Sequence, residues 1–171
     1  MQTRAAVLGT LKGLGPWTFA LTWNFNHSTF DKQEYSLLSE FDKRINRSLL
    51  SKKHHLLPDC KRILFIAIKA HKSAPHYHGV IKVPSDKHER FLAKAPEIWN
   101  RIWPAGSLHI GHDPNSFKWQ DYIAFNDNWH NLSDEFFVST QFRTRWLFET
   151  SNRHSMKSFS GTKLLHPAST Q

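Results

Sequence analysis

Two strand-like segments, residues 62–71 and 76–83, are separated by only the four residues 72–75. A connection this short forces neighbouring strands to run antiparallel, because a parallel pair needs a crossover of a dozen or more residues. The chain is therefore predicted to contain a β-hairpin whose second strand carries His76 and His78.

The segments around the hairpin predict a mixed fold. Alternating apolar and polar residues predict a strand over 17–26, and a second short strand is predicted over 107–111. Apolar residues at helical spacing predict helices over 31–50, 87–103 and 115–126, with Pro96 a candidate site for a break or kink. The order strand, helix, hairpin, helix, strand, helix predicts an α+β fold, a central antiparallel sheet with helices packed on it.

Length and composition fit one domain. The 171 residues, 39% of them hydrophobic, suffice for a core, and we assign residues 1–150 to it. Residues 151–171 are rich in Ser, Thr, Lys and His and predict a flexible, basic and polar tail. No apolar run approaches the roughly 20 residues of a membrane span, and residues 1–15 are too weakly patterned for a secretory signal. An intracellular location is expected, in a bacterial cytoplasm or, for a eukaryotic or viral protein, the nucleus.

The charge of the chain indicates its class of partner. The net charge of +9 is typical of a protein that binds a polyanion, and nucleic acid is the leading candidate. Charge and aromatic content do not distinguish DNA from RNA. The single cysteine, Cys60, excludes an internal disulfide and a cysteine-rich zinc cluster, so any metal ligands must be histidines or carboxylates.

The sequence His76-Tyr77-His78 is the most specific chemical signal. Alternate residues of a strand point to the same face, so the two imidazoles are predicted to project side by side. Such a pair can hold a metal ion together with a ligand from a neighbouring strand, or can serve packing or the surface.

The order of three motifs adds to this signal. The segments WTFALTWNFN and HYHGVIKVP, followed by Tyr122 in WQDYIAFND, resemble the three motifs of the HUH superfamily of rolling-circle initiators and relaxases. The resemblance covers roughly residues 17–127 and implies a two-layer sandwich of the RRM or ferredoxin-like kind. The third motif contains one tyrosine, which resembles the single-tyrosine initiator and transposase branches of the superfamily. This resemblance implies DNA replication or transposition as the process.

The resemblance implies a function and a set of residues. Tyr122 would be the catalytic nucleophile that nicks and rejoins single-stranded or hairpin DNA, with His76 and His78 holding a divalent cofactor, Mg²⁺ or Mn²⁺. Because no helicase motif follows, unwinding would fall to a host helicase, acting with a host polymerase. The nucleic-acid-binding candidates are Lys69, Lys118, Asn126, Arg143 and Arg145.

Two positions depart from the superfamily pattern. Many initiators carry an acidic ligand seven residues before the first histidine, where this chain has Lys69, and a lysine three residues after the tyrosine, where it has Phe125. If residues 72–75 form the hairpin loop, His71 lies opposite His76 on the same face and can be the third ligand; otherwise it only ends the strand. Lys118 or Asn126, four residues either side of Tyr122, can replace the missing lysine.

Two other functions stay open on the sequence alone. The Lys69 and Phe125 departures are also compatible with a non-catalytic nucleic-acid-binding module that keeps the sheet with a degenerate site. The other open function is RNA binding or processing.

His109 and His112 lie on and just after the strand before the tyrosine helix and are further residues that can face the site.

Overall fold

The computed structural model describes residues 2–26, 31–70, 75–124 and 135–142. The elements in chain order are α1 (Gln2–Leu14), β1 (Phe19–Asn24), α2 (Asp31–Leu49), β2 (Leu64–Ala70), β3 (His76–Lys82), α3 (His88–Ile102), β4 (Ser107–Gly111), α4 (Phe117–Ala124) and β5 (Phe136–Val138). Short 3₁₀ turns cover His54–Leu56, Asp59–Lys61 and Ser85–Lys87. The predicted tail, residues 151–171, lies outside the described residues.

The five strands form one sheet in the order β4-β1-β3-β2-β5, and each neighbouring pair is antiparallel. The predicted α+β fold with a central antiparallel sheet is confirmed. Each element expected from the sequence begins and ends within two residues of its predicted bounds, the usual uncertainty of helix and strand ends.

Helices α2 and α3 cover one face of the sheet and, with it, form the expected two-layer sandwich. The apolar stripe of α2 is buried there through Leu38, Phe41, Ile45 and Leu49. Helix α3 continues through Pro96 without a break. Pro96 is exposed, while Ala95 and Trp99 beside it are anchored in the core, so packing maintains the helix through the proline.

Helices α1 and α4 lie on the opposite face, against β2 and β3. Val7 and Leu11 of α1, one turn apart, are buried in a second core that includes Ile123 of α4. Sequence patterning missed α1, because Gly9 and Gly13 interrupt it and only a narrow apolar stripe faces the sheet. It also missed β5, whose three residues are too few to show a period.

A buried polar cluster joins α2 to β3 on the face that α2 and α3 cover. The carboxylate of Glu34 is fully buried and accepts hydrogen bonds from the Tyr77 hydroxyl and from Lys69 Nζ, each at 2.7 Å. Tyr77, the residue between the two histidines, is therefore fixed at its tip. This contact holds the strand segment that carries His76 and His78 against α2.

Gly79, directly after the histidine pair, is required by the packing of β3 between β1 and β2. A Cβ at this position would overlap the carbonyl oxygen of Ile66 and approach the Trp23 ring to 2.9 Å. Both belong to strands that flank β3 in the centre of the sheet. Only glycine fits there without moving a backbone.

We expect Gly79→Ala to lower the free energy of unfolding by about 3 kcal/mol or more, since neither the β2 backbone nor buried Trp23 can retreat. Urea unfolding measures the change. The matched control is Gly9→Ala on α1, where a Cβ meets no atom within 4 Å and stability should stay level or rise by up to about 1 kcal/mol. Equal stability of the Gly79 variant and the wild type would contradict the packing.

Within the described residues, no helix is both long and apolar enough to cross a membrane.

Candidate active site

His76 and His78 project from the same face of β3, as the strand period predicts. Their ring centroids are 4.8 Å apart with the planes at 84°, and both side chains are partly exposed. This is the face that α1 and α4 cover only in part. The two imidazoles therefore lie side by side with access to solvent.

Tyr122 of α4 lies against His78. Its hydroxyl oxygen lies 3.3 Å from Nε2 of His78, and the two ring centroids are 5.1 Å apart. The tyrosine is 47% exposed, so its oxygen is accessible to a substrate as well as to the histidine. Residues 44 positions apart in the chain thus meet at hydrogen-bonding distance.

Trp119, one turn before Tyr122, completes the aromatic wall of the site. Its ring lies 5.5 Å from that of His78 and 5.7 Å from that of Tyr122. Because the indole contacts both rings, it limits how far the tyrosine and the imidazole can move relative to each other.

Thr22 of β1 lies directly across the sheet from His78. Its hydroxyl oxygen is 3.0 Å from Nδ1 of His78, so both nitrogens of this imidazole have a polar neighbour. A neutral imidazole has one lone pair. If that lone pair is on Nε2, it can accept the Tyr122 hydroxyl or bind a cation, but only one at a time.

A groove of about 730 Å³ extends from Tyr122 across β1 and β4. Tyr122, Trp119 and Lys118 line its α4 side, and Thr22 and His109 lie on its floor. His109 is paired with Thr22 across the sheet, so His109, Thr22 and His78 form one row over three strands. The floor therefore connects the histidine and tyrosine centre to the outer strand.

An ion pair between Arg4 and Asp121 joins α1 to α4, next to Tyr122 in sequence. Together with the buried contacts of Ile123, it fixes the side of α4 that faces away from the groove. The helix that carries the tyrosine is therefore held by the first helix of the chain.

The histidine pair is suited to be part of a metal site. The two imidazoles are adjacent, and Nδ1 of His78 lies against a hydroxyl that can orient the ring. Histidines that bind a metal ion through one nitrogen usually make such a hydrogen bond with the other. In the part of the chain that the structure describes, no group of three His, Cys, Asp or Glu side chains is close enough to hold an ion. His76 and His78 can thus provide two ligands.

No protein-family model, curated protein or solved structure matches this chain.

Four of the predicted site residues fall outside the described residues: His71, Asn126, Arg143 and Arg145. The predicted pairing of His71 with His76 across the hairpin is wrong, however. The residue opposite His76 is Ala70, so five residues rather than four, 71–75, separate the paired positions. Alternation along one strand does not fix the register between two strands, so the sequence could not show that His76 pairs with Ala70 rather than with His71.

The two predicted nucleic-acid contacts with described side chains differ in position. Lys118 is exposed and lines the groove beside Tyr122. Lys69 is paired with Tyr77 across the sheet and lies on the opposite face from the histidines, against buried Glu34. The structure brings His76, His78, Tyr122 and Lys118 together and leaves Lys69 apart from them.

Sequence reasoning did not identify Thr22, Trp119 or the Arg4–Asp121 pair as parts of this site. Trp119 shares a helix face with Tyr122 at a spacing of three residues, a signal that was present in the sequence. Thr22 and Arg4 depend on strand register and on an unpredicted helix, so no local pattern could locate them.

Proposed function

We propose that this protein is an HUH-type endonuclease and strand transferase that nicks and rejoins single-stranded or hairpin DNA through Tyr122, in replication initiation or transposition. The observation that carries the proposal is the 3.3 Å approach of the Tyr122 hydroxyl to Nε2 of His78, with His76 beside it. A nucleophile and a pair of metal-ligand side chains at one partly exposed place are what such a reaction requires.

The chemistry proposed for Tyr122 is transfer of a phosphoryl group. Its oxygen forms a bond to phosphorus while the bond from phosphorus to the 3′ oxygen breaks, which leaves a 5′-phosphotyrosine and a free 3′ end. The phenolic proton passes to a base or water, and the departing 3′ oxygen gains a proton. Since one phosphodiester replaces another, the reverse attack by a 3′ hydroxyl rejoins the strand.

A divalent ion, Mg²⁺ or Mn²⁺, would be held by His76 and His78 and would polarise the scissile phosphate. His71, the predicted third ligand, lies outside the described residues, and the residue paired with His76 is Ala70. The part of the protein in this step is to hold the two imidazoles side by side and to aim Tyr122 at the same point.

The groove next to Tyr122 supports a single strand as the substrate. Lys118 lines it beside Tyr122, Thr22 and His109 lie on its floor, and the whole chain has a net charge of +9. The two exposed large aromatic side chains of the described residues, Phe117 and Tyr122, both lie on α4, and Tyr122 lines the groove. Exposed rings stack on unpaired bases, whereas a duplex hides its bases from them.

A covalent adduct tests the proposal directly. The protein is mixed with a randomised pool of single-stranded and hairpin oligonucleotides, labelled at either end, and Mn²⁺, and resolved on a denaturing gel. Because attachment is through the 5′ phosphate, only the label at the 3′ end should migrate with the protein, and chelation with EDTA should prevent it. Metal-dependent cleavage without an adduct would contradict the tyrosine chemistry, and binding without cleavage would favour the non-catalytic module.

Binding to single-stranded DNA should weaken steeply as salt rises. Each phosphate neutralised by the basic surface releases counterions, with a log-log slope of about −0.7 per contact on a single strand. Fluorescence anisotropy at several NaCl concentrations measures the slope. A charge reversal at groove-lining Lys118 should reduce it, whereas Lys87→Glu, outside the groove, serves as the control. A flat salt dependence would contradict nucleic-acid binding.

A further inference from the structure

The hydroxyl of Thr22 lies against Nδ1 of His78, where it can accept a hydrogen bond from that nitrogen. Thr22 and His78 are cross-strand partners on adjacent central strands, and the hydroxyl lies 3.0 Å from Nδ1. Both side chains are partly buried. The contact is made by two sheet residues whose spacing is set by backbone pairing rather than by a loop.

The position of this proton determines what His78 can do. With the proton on Nδ1, that nitrogen donates to Thr22 Oγ1 and the lone pair is on Nε2, facing Tyr122 Oη. With the proton on Nε2, His78 can only donate toward Tyr122. A histidine in water favours the second form, so the first needs an acceptor at Nδ1.

We propose that Thr22 is a positioning residue that keeps the proton of His78 on Nδ1 and so presents the Nε2 lone pair to the Tyr122 side of the site. Ligand histidines typically donate their other N–H to a fixed acceptor, and that acceptor sets ring orientation and affinity. The consequence for metal binding rests on the function proposed above. The position of the proton does not.

Nitrogen-15 NMR of the imidazoles tests the proposal on the metal-free, DNA-free protein. The pH is set at about 8.5, above the ordinary histidine pKa of about 6.5, because the two nitrogens of a neutral imidazole differ in shift according to which carries hydrogen. We expect His78 to be protonated on Nδ1 in the wild type. Protonation on Nε2 in the wild type would overturn the proposal, whatever the variants do.

Three substitutions distinguish an effect of the Thr22 hydroxyl on the His78 proton from a general effect on the structure. Thr22→Val keeps the branched shape without the hydroxyl and should move the His78 proton to Nε2, whereas Thr22→Ser should retain it on Nδ1. Thr18→Val removes a hydroxyl that bonds the backbone of Val83, away from His76 and His78, and should leave the His78 signals unchanged. A Thr22→Val protein with the proton still on Nδ1 would contradict the role of Thr22.

Metal affinity provides the second readout. Loss of such an acceptor usually weakens binding 10- to 100-fold, so Thr22→Val should bind Mn²⁺ about that much more weakly than the wild type, with Thr22→Ser close to the wild type. An unchanged Mn²⁺ affinity in Thr22→Val would contradict the role in metal binding. A wild type that shows the Nδ1 proton but forms no adduct with DNA would contradict the nuclease proposal and leave the Thr22 assignment standing.

Discussion

Tyr122→Phe is expected to abolish the covalent protein–DNA adduct and to lower cleavage by roughly 10³-fold or more, comparable to the loss of other nucleophiles. Only the hydroxyl is removed, and the ring can keep its contacts with His78 and Trp119. Since the side chain is 47% exposed, stability should change little. Denaturing gels with labelled DNA measure the adduct, and anisotropy should show DNA binding retained.

The other two tyrosines are the matched controls. Tyr35→Phe retains the packing of this ring against Phe137 and Phe142, so activity should be unchanged. Tyr77→Phe removes the hydrogen bond to buried Glu34 and should lower stability, but the adduct should still form. An adduct that persists in Tyr122→Phe and maps to another residue would show that the nucleophile is misassigned.

His78→Ala and His76→Ala should each reduce metal-dependent cleavage by at least about 100-fold, since even the loss of a residue that only orients a ligand costs 10- to 100-fold. DNA binding should be largely retained, because the groove that includes Lys118 remains. Cleavage assays across a Mn²⁺ titration measure the effect, and calorimetry with Mn²⁺ alone gives the loss of affinity independently of DNA.

His109→Ala is the control for the histidine substitutions. His109 lies on the same sheet face but beyond Thr22, on β4, and is exposed. Its removal should leave Mn²⁺ affinity intact and affect DNA affinity at most. If His109→Ala abolished metal binding while His76→Ala did not, the ion would lie at the other end of the groove.

The local parts of this fold were predictable because burial leaves a period in the sequence. The α2 stripe through Phe41 and Ile45 and the alternation around Tyr77 both mark faces that pack on the core. The side-by-side placement of His76 and His78 follows from the same alternation. Their approach to Tyr122 was expected only from the resemblance, since no period relates β3 to α4.

The parts that escaped prediction depend on tertiary contacts. The pairing of Ala70 with His76 is a matter of register, and one residue of difference changes which side chains face each other. Lys69 is predicted to contact nucleic acid, but its pairing with Tyr77 across the sheet places it on the covered face, where it forms an ion pair with Glu34. Helix α1 has a weak pattern and is stabilised by contacts of Val7 and Leu11 with the sheet.

The ion pair between Arg4 and Asp121 spans 117 positions of the chain, and this affects the order in which the site is assembled during synthesis. A nascent chain that has emerged as far as β4 already contains both histidines and Thr22, but neither the tyrosine nor the helix that carries it. The first helix must then wait for nearly the whole sheet before its partner α4 is available. The proposed chemistry therefore becomes possible only once α4 has been synthesised, so a chain that has emerged only as far as β4 carries the imidazoles but lacks the nucleophile.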